Sequence, residues 1–284
     1  MKIMYFGQSD RGRVRKANED YFALEKINRN EYLFIVADGM GGHQAGDVAS
    51  RLGTLTFIDH YKEQRAKKTP IPESLRDAIR AANGAILAKA QADPSKRGMG
   101  TTFSAMTLAM ADANAHIIHV GDSRIYLIRD DQIHRLTTDH TFVEKMMEEG
   151  RISAEEARNH PQKNILYMSL GARESFSPVE IADTVKKEDT FVLCSDGLSN
   201  MVPDELIREY AGIYPPRQLV DKLIDLANEK GGSDNITIVA VRAGENEAMK
   251  DTQPIEIVKK SCRLFYLGLV ILIVIIVLFL VVLR

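Results

Sequence analysis

The chain has 284 residues and carries 37 Lys and Arg against 39 Asp and Glu, a formal net charge of −2. That balance argues against a nucleic-acid partner, and the length is enough to bury one full core. Two cysteines, Cys194 and Cys262, make no disulfide framework, which fits a reducing compartment.

Residues 1–30 read as a strand, a polar turn and a second strand, and the start Met1-Lys2-Ile3-Met4-Tyr5 lacks the apolar core of a signal peptide. The turn places Arg11, Arg13, Arg15 and Lys16 just before Asn18-Glu19-Asp20. It is either a solvated basic turn or a loop from which one arginine grips an anion bidentately. Residues 32–37, YLFIVA, form a buried-strand pattern that stops at Asp38, followed by Gly39-Met40-Gly41-Gly42-His43. A carboxylate at the end of a buried strand needs compensation, and the glycines let backbone come close to a ligand. A bound cation, an arginine or a helix N-terminus would each supply that compensation. The spacing then predicts a helix over 46–63, with Val48, Leu52, Leu55 and Ile58 as its apolar stripe. A second begins at Pro72, carries Leu75, Ile79, Ala82 and Ile86, and ends near Asp93-Pro94.

Strands at 103–110, 115–120, 125–129 and 132–135 predict an antiparallel meander. Residues 141–171 turn helical and polar, with a capping box at Ser153-Ala154-Glu155-Glu156. That insertion is either a substrate-facing flap or a surface helix pair. A strand at 190–195 ends in Asp196-Gly197 and repeats the pattern of Asp38-Gly39. Helices at 203–210 and 217–230 and a closing strand at 236–242 complete the pattern. The predicted class is α+β with antiparallel sheets. Five strand ends carry carboxylates: Glu19-Asp20, Asp38, Asp122, Asp196 and Asp234. Their convergence on one point calls for a hard cation with oxygen ligands, Mg²⁺ or Mn²⁺ rather than zinc.

From Leu264 to Leu283 the chain is apolar without a charge, the length of about 20 residues that spans a bilayer as a helix. Lys259, Lys260 and Arg263 precede this run and only Arg284 follows, so the positive-inside rule puts everything N-terminal of it in the cytoplasm. The expected organisation is a catalytic domain over 1–243, a linker over 244–263 and a transmembrane helix over 264–283. That describes a single-pass cell-membrane protein anchored at its C-terminus, with membrane lipid as a partner. Gly268 is the only small residue of the span, so a Gly-x-x-x-Gly dimer has no support.

The ordered set Arg15-x-x-Asn18-Glu19-Asp20, Ala37-Asp38-Gly39-Met40-Gly41-Gly42-His43, Gly100-Thr101-Thr102, Val120-Gly121-Asp122-Ser123-Arg124, Ser195-Asp196-Gly197 and Asp234-Asn235 resembles the metal-dependent type 2C protein phosphatases, closest to the bacterial branch. The resemblance covers residues 4–242. It implies two stacked antiparallel sheets flanked by helix pairs, with metals at one edge between the sheets. It further implies that Asp38 bridges two Mn²⁺ or Mg²⁺ ions, that the Gly39 carbonyl and Glu19 complete one of them, and that Asp196 and Asp234 hold the other. By the same resemblance Asp122 joins Asp196 at a third metal, Asp20 orients water, and Arg15 binds phosphate.

The chemistry expected is attack on phosphorus by a hydroxide between two divalent ions, with Arg15 holding the anion. His43 is either the general acid for the leaving alkoxide or a structural residue closing a glycine turn. Cys194 lacks a phosphate-cradling loop and a nearby base, so it is not expected to act as a nucleophile. One departure stands out: Met168-Ser169-Leu170-Gly171 lacks the arginine that many bacterial relatives carry in this segment. The leading expectation is a membrane-tethered phosphatase for phosphoserine and phosphothreonine proteins, opposing a Ser/Thr kinase at the same membrane. A silent phosphoprotein-binding adaptor and a hydrolase of small phosphate esters are the alternatives.

Overall fold

The computed structural model describes residues 2–41 and 45–244. His43 and the expected linker and transmembrane segment beyond residue 244 lie outside the described residues. Among the described residues no helix is long and apolar enough to cross a membrane.

The first half runs β1 (Ile3–Asp10), β2 (Asp20–Asn28), β3 (Glu31–Met40), α1 (Ala45–Ala66), α2 (Ile71–Ala92), β4 (Gly100–Thr101), β5 (Phe103–Ala109) and β6 (Asn114–Val120). It continues through β7 (Arg124–Arg129), β8 (Gln132–Arg135), α3 (Phe142–Glu148), α4 (Ala154–Asn159) and β9 (Val179–Thr184). The last part is β10 (Thr190–Cys194), α5 (Asp196–Ser199), α6 (Asp204–Ile213), α7 (Pro216–Glu229) and β11 (Ile236–Ala243). One antiparallel sheet has the order β1-β11-β10-β7-β8; the other has β2-β3-β5-β6-β9, with β4 paired to β3.

The period-2 alternation of each strand divides the core into layers. Phe34 and Val36 of β3 meet Leu193 of β10 and Val239 of β11 between the sheets. Leu33, Ile35 and Ala37 point the other way, onto Phe57, Tyr61 and Ile79 of α1 and α2. On the opposite side, Val192, Ile238 and Ala240 pack on Leu219, Leu223 and Ile224 of α7. The result is the α-β-β-α sandwich that the resemblance implies. Burying a large apolar side chain contributes about 1.5–3 kcal/mol. Leu33, Phe34, Ile35 and Val36 are all fully buried, so the strand ending at Asp38 is anchored on both faces.

Two expectations change. The buried face of α1 includes Ala45, Gly46, Ala49, Ser50, Gly53, Thr54, Phe57, Ile58 and Tyr61; of the expected stripe Ile58 is buried and Val48 and Leu52 are half-buried against the same core, whereas Leu55 is 42% exposed. Small residues in its first turns let the helix approach the sheet closely, and they share the contact face with the larger side chains. Strand β9 was not anticipated; it is an edge strand whose residues alternate between half-buried and exposed, with no apolar run to mark it. The second helix starts one residue earlier than expected, with Pro72 in its first turn, and Leu75, Ile79, Ala82 and Ile86 are all buried. The Ser153–Glu156 capping box is formed at the start of α4.

Candidate active site

Strand register gathers the carboxylates. Asp20 lies opposite Asp38 in the β2–β3 ladder. Cys194, the last residue of β10, faces Arg124 of β7 on one side and Ile238 of β11 on the other. The chain therefore leaves β10 through Ser195-Asp196 at the same end where Gly121-Asp122 leads into β7 and Asp234-Asn235 into β11.

The basic turn between β1 and β2 folds over this edge. Gly12, at φ +78°, is packed against the Asp234 backbone where no side chain would fit. The Arg13 amide then donates to the Gly232 carbonyl at 2.8 Å. Asn235 ties the turn down: its Nδ2 donates to the carbonyls of Arg11 and Ala17, both at 2.9 Å, and its Oδ1 accepts from the Glu19 amide at 2.8 Å. Arg15, half exposed, donates from Nη2 to Asp234 Oδ2 at 2.7 Å. Its guanidinium thus pairs with one carboxylate of the acidic edge while remaining half exposed to solvent.

Glu19 and the Gly39 carbonyl meet at the N-terminus of α1. A Cβ on Gly46 would lie 2.7 Å from the Gly39 oxygen and 2.8 Å from the Glu19 carboxyl carbon, so both groups crowd the same glycine. Asp20 Oδ2 accepts from Ser195 Oγ at 2.7 Å. The Asp38 backbone is clamped by the Thr102 side chain and amide, each at 2.9 Å. Asp196 accepts from Asn200 Nδ2 at 3.0 Å.

Without counter-cations this arrangement disfavours its own charge. Burial pushes the Asp38 carboxyl well above the usual range, and Asp20, Asp196, Asp122 and Asp234 push it further. Asp20 rises to about 7 and Asp196 to about 6, each mainly through burial. Asp122 is raised by burial and by Asp196, and Glu19 by burial against a hydrogen bond from the Gly46 amide. Two acceptors, Asp20 Oδ1 and Asp196 Oδ1, are buried with no hydrogen-bond partner. Orphaned oxygens among mutually repelling carboxyls fit hard cations. Among the described residues no three acidic or imidazole side chains close into a cage by themselves.

A family model described as protein phosphatase 2C matches residues 9–237, most of the chain. The chain belongs to the protein phosphatase 2C family. It is an enzyme of the serine/threonine protein phosphatase class. It is 39% identical over 249 residues to the serine/threonine phosphatase stp of Listeria monocytogenes, covering 86% of this chain and 97% of that one. The crystal structure of the Mycobacterium tuberculosis serine/threonine phosphatase PstP/Ppp superposes with a TM-score of 0.76 at 37% identity, covering 86% of this chain and 99% of that one. The catalytic domain of PstP in complex with two manganese ions gives 0.74 at 36% identity, with coverage of 86% and 99%.

Within this phosphatase 2C domain, Arg15, Glu19, Asp20, Asp38, Gly39, Asp122, Asp196 and Asp234 all lie at the one edge. Asn235, Ser195, Thr102 and Gly46 were not anticipated as site-building residues. The first three stood inside the motifs, but only their hydrogen bonds reveal what they hold. Gly46 carried no signal beyond its place at a helix start. Cys194 is fully buried, and burial pushes its thiol up to about 12, so no thiolate forms near neutral pH.

Proposed function

We propose that the chain hydrolyses phosphoserine and phosphothreonine esters of proteins, with two Mn²⁺ or Mg²⁺ ions held at the carboxylate edge. The observation that carries this reading is the set of buried carboxyls around Asp38, raised by burial and by one another, with two orphaned acceptor oxygens. The two manganese ions in the related PstP catalytic domain support the choice of metal. Asp38 would serve both ions, with Glu19 and the Gly39 carbonyl completing one and Asp196 and Asp234 holding the other. Asp122 would share a third ion with Asp196.

The chemistry supplied by such ions when bound is Lewis acidity, which acidifies a water toward neutral pH and offsets phosphoryl charge. The chain's own residues do the rest. Arg15, half exposed, exchanges its Asp234 contact for two phosphoryl oxygens and orients the ester for in-line attack. Asp20, fixed by Ser195, accepts a hydrogen bond from the attacking water and aligns it. The buried Cys194 thiol takes no part. His43 donates the proton to the departing alkoxide.

The chain acts at the cytoplasmic face of the cell membrane, opposing a Ser/Thr kinase held there. The apolar run 264–283 with Lys259, Lys260 and Arg263 before it supports this reading. Two experiments decide the function. Phosphate release from a phosphothreonine peptide by the full chain is expected to need Mn²⁺ and to fall at least 10²-fold in Asp38→Asn; release that survives both chelator and the substitution overturns the metal mechanism. Removal of residues 264–284 is expected to shift the chain from membrane to soluble fractions, and an unchanged distribution refutes the anchor.

A further inference from the structure

The turn between β1 and β2 carries four cations in six residues, Arg11, Arg13, Arg15 and Lys16, and the reaction described above uses only Arg15. Its backbone is fixed along its length. The Gly12 amide donates to Asp10 Oδ1 at 2.8 Å, and the Arg13 and Val14 amides donate to the Gly232 carbonyl at 2.8 and 3.3 Å. The Arg11 and Ala17 carbonyls accept from Asn235 Nδ2. Residues 13–17 are nevertheless all exposed, Val14 by 67%. The carboxylates that touch the turn are already engaged, Asp10 with the Gly12 amide and Asn228 Nδ2, and Asp234 with Arg15. Among the described residues Arg11, Arg13 and Lys16 make no ion pair. The turn adjoins the carboxylate edge directly: Lys16 precedes Glu19 by three positions, and the charges of Asp234, Asp38 and Asp196 all act on the Arg15 guanidinium.

We propose that Arg13 and Lys16, on either side of Arg15, form a cationic rim that reads anionic groups next to the phosphorylated residue of the substrate protein, either carboxylates or a second phosphate. The inference rests on the phosphatase reading and adds substrate selectivity to it. Successive Cα atoms lie about 3.8 Å apart, so both residues stand within about 8 Å of Arg15 along the chain. An extended peptide advances about 3.3 Å per residue, which brings groups two or three positions from the phosphorylated one alongside them. The metal-loaded edge has no need of their charge, because two divalent ions offset the four carboxylates Glu19, Asp38, Asp196 and Asp234. The fixed backbone holds the rim in place before a substrate arrives, and the long side chains adapt to where its anions lie. Anionic lipid would match the same charges, but a turn pressed onto headgroups would close the Arg15 edge to the phosphoester.

The test uses the full chain with Mn²⁺, assayed on a small aryl phosphate and on phosphothreonine peptides whose flanks are neutral, acidic, basic or carry a second phosphothreonine. Arg13→Gln and Lys16→Gln change exposed side chains and keep the pinned amides. In wild type the acidic and doubly phosphorylated peptides have a KM about tenfold below the neutral one; a preference for the second phosphate alone narrows the rim to phosphate. Each single variant costs about threefold of that preference and the double variant about tenfold, and in wild type 1 M salt reduces it in the same direction. Hydrolysis of the aryl phosphate stays within about twofold throughout. Arg13→Glu with Lys16→Glu turns the preference toward basic flanks. A KM order that is the same in every variant overturns the proposal, as does binding to anionic vesicles that falls in the variants while the peptide KM values hold. Fluorescence anisotropy of the same peptides reads the rim without turnover. A chain inactive on every phosphoester that still sorts acidic from neutral peptides loses the phosphatase reading and keeps the rim; no sorting in either readout removes the rim.

Discussion

Gly46 shows how little space the site leaves. Its missing side chain is what allows the Gly39 carbonyl and the Glu19 carboxylate to approach each other at the start of α1. Gly46→Ala is expected to push the Glu19 carboxylate aside and weaken Mn²⁺ binding about tenfold in a calorimetric titration, with the circular-dichroism spectrum unchanged. Wild-type affinity in the variant would place Glu19 outside the metal ligands. His119 sets a different local constraint. It is fully buried, with Nε2 on the Thr138 carbonyl at 3.1 Å and Nδ1 on Ser104 Oγ at 2.9 Å. Burial, helped by the His140 ring 5.0 Å away and opposed by Asp139, lowers it from 6.5 to about 3. The native state therefore keeps this ring neutral while the unfolded chain protonates it below about 6.5. Its stabilisation is complete above that pH and is lost as pH falls toward 3, at about 1.4 kcal/mol per unit. Urea unfolding at pH 7 and pH 5 is expected to show a loss of roughly 2 kcal/mol from this group, and His119→Gln to flatten that part of the slope. The metal-site acids were legible in the sequence because carboxylates at strand ends are conspicuous. His119 was not, because a histidine inside an apolar strand looks the same whether it is a packed residue or a working one.

At the level of elements, α1 is fastened to the second sheet by a polar clamp. Glu31, at the start of β3, is 4% exposed; it accepts from Arg65 Nε and Nη2 at 2.8 and 2.9 Å and from Tyr61 OH at 2.7 Å. Arg65 holds the Glu31 carboxyl below its ordinary value against the opposing effect of burial. Arg65→Ala leaves that carboxylate buried with its main partner gone, and is expected to cost about 3 kcal/mol in urea unfolding. A paired Glu31→Gln, Arg65→Met change recovers most of the loss; if it does not, the clamp is not what holds the helix. The partner of Arg65 lies 34 positions away across a helix–sheet contact that local pattern cannot show. The same limit explains α1 itself, whose expected stripe held at Val48, Leu52 and Ile58 but missed the small residues of its first turns. Its first turns face inward with small residues because Glu19 and Gly39 crowd Gly46 there, a tertiary requirement that periodicity of large aliphatics misses. Strand β9 had no apolar run of its own and exists because β6 offers it an edge.

Over the whole molecule, two sheets and their helix layers supply the stability that the acidic edge spends. The same packing that buries β3 on both faces forces Asp38 into the company of Asp20, Asp122, Asp196 and Asp234. Charge there is relieved in two ways, by protons in the metal-free protein and by divalent ions in the working one. The first leaves stability dependent on the carboxyls' mutual repulsion; the second makes it dependent on ligand concentration, by about 2.7 kcal/mol at a hundredfold excess over Kd. For a domain of this size that corresponds to a rise of about 5–10 °C in Tm. Asp38→Asn removes one charge from the cluster and one ligand from the ions, so its effect must change sign with metal. Thermal unfolding of the full-length wild type and of Asp38→Asn, each with chelator and with excess Mn²⁺, measures this directly. The expected result is an inversion: the variant at or above wild type in chelator, and below it in Mn²⁺ because only wild type gains the full metal increment. The same Mn²⁺ increment in both proteins would contradict a cation site centred on Asp38.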